Sequence, residues 1–262
     1  MEKLRLTAHI NDIELKNKMY KVIDKANSCL KNYDIRTTEF LNPFEIKNAK
    51  DILNSETDLK YKVDGGYQNA ERQLIYIFPY YMEEDDIESN LKVIQIEGNF
   101  KFKSISHRDY LGAVIKLGVE RRKIGDIIVD NDGADILIDK DVEKFLKDNL
   151  GGLTRFSKSE ITCIEINELR KVEIIKEELE VIVASLRLDN VIAELARCSR
   201  NKAMDIINME RVFVNFQSET KKTKQIKAGD MITIRGKGRF FIKEILGQTR
   251  SGRTILKVEK FK

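Results

Sequence analysis

Leu186-Arg187-Leu188-Asp189-Asn190-Val191-Ile192-Ala193-Glu194-Leu195-Ala196-Arg197-Cys198-Ser199-Arg200-Asn201-Lys202-Ala203-Met204-Asp205-Ile206-Ile207 is the stretch on which the reading of this chain turns. Leu188, Val191, Ile192, Leu195 and Ala196 recur at steps of three and four, which predicts a helix with one apolar face. The pattern stops at Cys198-Ser199, and Ser199 suits the N-cap of a second short helix whose Ala203, Ile206 and Ile207 point inward. Two helices that turn back on each other bring Arg187, Arg200 and Lys202 near one surface. The uncapped N–H groups and dipole at the start of the second helix favour a phosphate there. Arginine adds paired donors that match phosphate oxygens. Asp189 is expected to orient an arginine or a backbone N–H rather than to meet a polyanion itself.

Downstream, Val212–Phe216, Met231–Arg235, Phe240–Leu246 and Thr254–Glu259 read as strands of a small sheet. Lys221-Lys222-Thr223-Lys224 is a basic connection and Gly229-Asp230 a turn. Gly236-Lys237-Gly238-Arg239 has two glycines of a dinucleotide fingerprint, but Phe241 stands where the third belongs. It also lies between strands, so it reads as a basic hairpin turn in which Lys237 and Arg239 extend the phosphate contacts. From Val181 to Lys262 there are 18 Lys and Arg against 8 Asp and Glu, a net of +10. The whole chain is +4, so Met1–Glu180 carries about −6. A strongly basic module on an acidic body points to nucleic acid as partner.

Upstream, Ile13, Leu15, Met19, Val22, Ile23, Ala26 and Leu30 mark an amphipathic helix. Asn42 and Pro43 start another that runs to about Leu53, with Phe40 and Phe44 expected in the core. After the Gly65-Gly66 turn, Gln73–Tyr80 and Leu91–Gly98 read as strands and Tyr110–Leu117 as a helix with Asp109 at its N-cap. Ile124–Val129 and Ala134–Ile138, joined by Asp130-Asn131-Asp132-Gly133, read as a hairpin. A helix over Lys140–Asn149 and a strand over Ile161–Ile166 follow. Strand, helix, hairpin, helix, strand is the split βαβ, ferredoxin-like order, with Gln73–Tyr80 as an extra N-terminal strand. The fold class is therefore α+β in three parts: a helical segment over 1–69, a ferredoxin-like domain over 70–177 and the basic module over 181–262. Such sheets often bind RNA. Around the central helix, His107, Arg108, Arg121, Arg122 and Lys123 gather, and Arg121 and Arg122 are candidates for a second phosphate contact.

Three dispersed cysteines and two histidines exclude a disulfide scaffold and a zinc cluster, so no metal site or cofactor is expected. Met1–Lys16 has no apolar signal core, and no apolar run approaches a membrane span, so a cytoplasmic protein without membrane contact is expected. His107-Arg108-Asp109 looks like a kinase catalytic loop, but Val114 stands where that loop needs Asn, and no Asp-Phe-Gly follows.

Leu186-Arg187-Leu188-Asp189, Ser199-Arg200-Asn201-Lys202-Ala203, Val212-Phe213-Val214-Asn215 and Ala228-Gly229-Asp230-Met231-Ile232 together resemble the S4 RNA-binding domain. The body resembles the YlmH family of bacterial S4-domain proteins. The resemblance is carried by Phe40-Leu41-Asn42-Pro43-Phe44-Glu45, by Gly65-Gly66-Tyr67-Gln68-Asn69-Ala70-Glu71-Arg72 and by Ser106–Val114 with Leu117–Arg121 and Ile124–Ile127. The resemblance runs nearly end to end. It implies an RNA-binding factor of translation that meets rRNA and tRNA on the large ribosomal subunit, in rescue of stalled nascent chains. A monomer is expected, and with no acid–base pair at motif spacing and no complete nucleotide-binding loop, no catalysis is expected. Candidate RNA contacts are Arg187, Arg200, Asn201, Lys202, Asn215, Lys222, Lys224, Arg235, Lys237 and Arg239, with Arg121 and Arg122 in the body.

The competing reading is an RNA-modifying enzyme with an S4 targeting module. A pseudouridine synthase of that kind carries Arg-Leu-Asp followed by Thr-x-Gly in a catalytic domain. Here Arg187-Leu188-Asp189 lies inside the basic module and continues Asn190-Val191. A methyltransferase needs a Gly-rich strand-turn-helix, and Met1–Glu180 contains no GxGxxG.

Overall fold

The computed structural model describes residues 1–98, 105–170 and 176–261. Internal contacts divide the chain into two units, Met1–Val172 and Glu173–Lys262.

The first unit opens with α1 (Lys3–Leu6), α2 (Ile13–Asn32), β1 (Arg36–Thr37), α3 (Pro43–Leu53), β2 (Leu59–Asp64) and β3 (Leu74–Pro79). Leu15, Met19, Val22, Ile23 and Ala26 of the expected stripe form the buried face of α2 together with Cys29, whereas Ile13, in the first turn, is exposed. Asp12 caps it by accepting the Leu15 N–H at 3.0 Å, and Tyr33 ends it in the left-handed region at φ 55°. At α3 a reciprocal capping box forms: Asn42 Oδ1 accepts the Glu45 N–H at 3.0 Å, and Glu45 Oε2 accepts the Asn42 N–H at 2.8 Å. Lys18 reaches Glu45 at 2.6 Å and ties α2 to α3.

The strands of this segment pair antiparallel in the order β1-β3-β2. The strand expected over Gln73–Tyr80 is therefore present, but it is the middle of an N-terminal sheet and not an extra member of the central one. The expected division after residue 69 falls in the connection between β2 and β3. Leu74–Pro79 is buried at every position, so neither of its faces signals which sheet it joins.

Next come β4 (Leu91–Glu97), α4 (His107–Lys116), β5 (Ile124–Val129), β6 (Gly133–Asp139), α5 (Glu143–Asn149) and β7 (Glu160–Ile164). Their sheet order is β5-β6-β4-β7, with every neighbouring pair antiparallel, which is the ferredoxin-like topology. Ile94, Ile96, Ile124, Ile136 and Ile138 pack on one face beneath Tyr110, Val114, Leu146 and Phe156. On the other face, Val93, Ile128 and Leu137 lie beside Ile164 of β7 and are covered by Tyr67, Ile166 and Leu169. The start of α4 corrects the expected cap. Ser106, not Asp109, is the N-cap residue, and the Asp109 carboxylate reaches back to accept from Ser106 N at 3.0 Å and Ser106 Oγ at 2.7 Å.

Asp126 and Arg72 lock this sheet to the N-terminal segment. Asp126 accepts from Tyr67 Oη at 2.8 Å, from the Glu71 N–H at 2.7 Å and from the Arg72 N–H at 3.1 Å. Arg72 donates to the carbonyls of Ile124 and Phe40, each at 2.9 Å. Burial raises the Asp126 carboxyl above its usual range, although Tyr67, Arg72 and Arg121 oppose the shift.

The second unit holds β8 (Lys176–Val183), α6 (Leu188–Leu195), α7 (Arg200–Asn208), β9 (Val212–Val214), β10 (Gln217–Ser218), β11 (Met231–Ile234), β12 (Gly238–Gln248) and β13 (Thr254–Phe261). Six strands run in the order β10-β9-β11-β12-β13-β8. Both helices lie on one face, over Val212, Val214, Ile232, Ile234, Phe240, Ile242, Leu256 and Val258. The strand β8 is not among the expected elements. It pairs with β13 from Lys176↔Phe261 to Val183↔Thr254, so this unit begins before residue 181. Among the described residues no helix is long and apolar enough to cross a membrane.

Candidate nucleic-acid interface

The site is built around a buried carboxylate. Asp189 lies in the first turn of α6 with its side chain only 1% exposed. Its oxygens accept four arginine donors: Arg187 Nε at 3.1 Å and Nη2 at 3.0 Å, and Arg200 Nε at 2.9 Å and Nη2 at 2.6 Å. The Asn190 N–H adds a fifth contact at 3.1 Å. Burial pushes the Asp189 carboxyl up, but the two guanidinium groups outweigh it and hold the group below the usual carboxylate range. The two arginine side chains remain 37% and 52% exposed. Asp189 therefore orients two arginines at once while both keep donors toward solvent.

The connection of residues 221–225 is pinned to this point. Leu188 N–H donates to the Lys224 carbonyl at 2.8 Å and Asp189 N–H to the Lys222 carbonyl at 3.2 Å. These bonds satisfy the start of α6 and bring the basic connection beside the arginine pair. The start of α7 is more open. Ser199 Oγ accepts the Lys202 N–H at 3.3 Å, while the N–H groups of Arg200 and Asn201 have no acceptor among the described residues. Arg200, Asn201 and Lys202 are all exposed, and Lys202 makes no ion pair among the described residues. This exposed helix end, flanked by fixed guanidinium groups, is an anion site by geometry.

A second group sits at the β11–β12 hairpin. Arg235 lies over the Phe213 ring at 4.7 Å and Arg239 over the Phe216 ring at 5.7 Å. Lys237 occupies the turn between Gly236 at φ 81° and Gly238 at φ 118°. Stacking on a ring fixes the plane of a guanidinium group and leaves its edge for acceptors. Neither phenylalanine is among the residues expected at the site. The signal was there in Phe213, which alternates with the inward Val212 and Val214 and so faces away from the helices.

Four expected contacts are placed otherwise. Asn215, at φ 51°, accepts the Met231 N–H and donates to Asp230 Oδ1, both at 2.8 Å, so it holds a turn. Lys224 pairs with Glu219 at 2.7 Å. Arg121 turns inward to donate to the carbonyls of Ile124 and Gly125, and burial first, then the Arg72 charge, lowers it to about 10. Arg122 is paired with Glu39 and with Glu120. Of the cluster expected around the exit of α4, Arg121 is thus a brace for backbone carbonyls, while Arg122 stays at the surface in ion pairs. Among the described residues no group of His, Cys, Asp and Glu has a metal-holding arrangement.

Comparison with known proteins places the chain. A family model described as "YlmH, N-terminal" matches residues 14–82, and one described as "Putative RNA-binding domain in YlmH" matches residues 83–170. The two meet just before β4 and together span more than half of the chain. The chain is 29% identical over 232 residues to the "Ribosome-associated protein quality control protein P2" of Bacillus subtilis (strain 168), covering 88% of this chain and 89% of that one. Among solved structures, "Cell division protein ylmH from Streptococcus pneumoniae" is similar at 26% identity and a TM-score of 0.49, covering 61% of this chain and 96% of that one.

Proposed function

The chain belongs to the YlmH family, and from that premise we propose that it is a non-catalytic RNA-binding factor of the translation machinery. Its targets are structured rRNA and tRNA, on the large ribosomal subunit, in rescue of stalled nascent chains. The observation that carries this reading is the Arg187–Asp189–Arg200 clamp beside the open end of α7, in a unit with a net charge of +10 from Val181 onward. Fixed guanidinium groups at a helix N-terminus suit phosphate oxygens, and the surrounding lysines supply the long-range field. The name of the Bacillus subtilis relative supports a ribosomal setting, and the family description supports RNA as the ligand. The S4 resemblance of Leu186–Ile234 agrees with a pair of helices over a sheet.

The test is crosslinking of the protein to RNA in cells, followed by sequencing of what is bound. Large-subunit rRNA together with tRNA is the expected recovery. Recovery of no discrete RNA overturns the proposal.

A further inference from the structure

A ferredoxin-like sheet commonly meets RNA through an open face whose aromatic side chains stack bases. In this protein that face is closed. Tyr67, Ile166 and Leu169 cover Val93, Ile128 and Leu137, and Phe40 lies so close to Gly125 that an added Cβ would be 2.7 Å from its ring. Any RNA contact in this part of the chain must come from another surface.

The helical side offers one. A pocket of about 670 Å³ lies between α4 and the turn at Gly152–Arg155. Arg108, Gly112 and Lys116 form a stripe at i, i+4 and i+8, so the two cations stand about 12 Å apart along the helix. All three positions are exposed, and Arg108 and Lys116 have no ion pair among the described residues. Arg155 faces them across the pocket, held by Asp109 at 2.6 Å. Asp109 is the one carboxylate in the lining among the described residues. The Ser106 bonds, then Arg155, hold it at about 2, so its charge is committed to the helix cap and to positioning that arginine.

Gly112 and Gly152 add an independent point. A Cβ at either would meet nothing within 4 Å. Packing does not call for glycine there, and in the middle of a helix glycine costs about 0.5–1 kcal/mol against alanine. What glycine provides is close approach to the helix backbone between two cations.

We propose that this groove is a second RNA site, which takes the sugar–phosphate backbone of a strand between Arg108, Lys116 and Arg155. The inference rests on the RNA-binding reading above and adds a site in a different unit from the arginine clamp. Two contacts in two units would let one chain engage RNA at two points, with a gain in avidity over either alone.

The test uses the full chain and bulk tRNA labelled at its 3′ end, with affinity measured from about 50 to 200 mM salt. Arg108→Ala with Lys116→Ala is expected to weaken binding about 5- to 20-fold. It should also flatten the slope of log affinity against log salt by about 1–2, the share of roughly two phosphates. Gly112→Glu is expected to weaken binding similarly without lowering the melting temperature, whereas Gly112→Ala should raise that temperature. If the Arg108/Lys116 and Gly112→Glu variants keep the wild-type affinity and slope while Lys202→Ala loses affinity, the groove is not a site and the RNA-binding reading stands. If the unaltered chain does not bind tRNA at the lowest salt, both readings fall.

Discussion

Replacing Asp189 by asparagine tests whether the clamp is structural, functional or both. The side chain is 1% exposed and receives four guanidinium donors. An asparagine amide offers one oxygen for these donors and turns its NH2 group toward a guanidinium group, so at least one arginine loses its partner. Breaking a buried ion pair costs about 3–5 kcal/mol. The arginine ends here are 37% and 52% exposed and regain water, which reduces the loss to about 2–3 kcal/mol. In a domain of this size that corresponds to a fall of roughly 8–24 °C in melting temperature. RNA affinity should drop about tenfold, or about 1.4 kcal/mol, because Arg187 and Arg200 no longer share one fixed orientation. The pH dependence supplies a further check. The folded carboxyl is held below its unfolded value of about 3.9, so its contribution to stability is complete above about pH 4 and is lost as the pH falls through the lower folded value. The asparagine variant should lack that acid limb. Calorimetry across pH 2–7 and RNA titration at fixed salt read these quantities. Wild-type affinity in a destabilised variant would refute the positioning role, and an unchanged melting temperature would refute the clamp.

Affinity for structured RNA should fall about tenfold to thousandfold between roughly 50 and 200 mM salt, and a salt-insensitive affinity would contradict phosphate-dominated binding. Purified protein incubated with rRNA and tRNA, with and without S-adenosylmethionine, should leave no methylation, pseudouridine or cleavage detectable by mass spectrometry after labelling. A modification that disappears in Asp109→Asn or Asp126→Asn would make the chain an enzyme. Gly133→Ala places a Cβ 1.8 Å from the Ile96 carbonyl oxygen, a backbone atom that cannot swing aside. It should cost more than about 3 kcal/mol in thermal or urea unfolding, and a variant as stable as wild type would show that the β4–β6 pairing tolerates the side chain.

Local signals carried much of the fold. The stripe of α2, the Asn42-Pro43 start of α3 and the Asp130–Gly133 turn each sit within a few residues of what they determine, and each forms where the sequence places it. The ferredoxin-like order followed because every one of its elements has such a signal. Non-local pairing was less legible. The strand β3 is apolar along its whole length, so the sequence does not say that its partners are Arg36–Thr37 and Leu59–Asp64. The alternation of Leu59, Tyr61 and Val63 with Lys60, Lys62 and Asp64 was a usable sign of β2. Glu177, Glu178 and Glu180 give β8 the composition of a charge run. In the sheet Glu178 meets Lys243 at 2.6 Å and Lys257 at 3.1 Å, which turns that run into one side of a cross-strand ladder. At the site, residue type alone did not separate arginines that face solvent from those that brace backbone carbonyls. Of the adjacent Arg121 and Arg122, the first turns in to the Gly125 carbonyl while the second stays at the surface, paired with Glu39.

The division of labour between arginine and lysine follows from their chemistry. Arg122, Arg170, Arg187 and Arg200 each have carboxylate partners, and Arg235 and Arg239 stack on rings. Lys202, Lys222 and Lys237 have no ion pair among the described residues. A guanidinium group has donors to spare after a carboxylate has fixed its plane, so pairing pre-orients it for a phosphate. An ammonium group has no plane for a partner to fix, so a paired lysine such as Lys224 is not oriented for a phosphate, and the unpaired lysines contribute chiefly to the field. In the basic unit, arginine pairing would therefore govern which RNA geometry fits, and lysine would govern how tightly and how salt-dependently any RNA is held. Substituting Lys202, Lys222 or Lys237 should lower the salt slope with little change in preference among RNAs. Disturbing the Asp189 clamp should narrow the difference between cognate and unrelated RNA while leaving most of the slope. Competition by unrelated RNA separates the two. Equal losses of slope and preference in both classes of variant would mean that the clamp adds charge alone, and its geometry would then have no part in recognition.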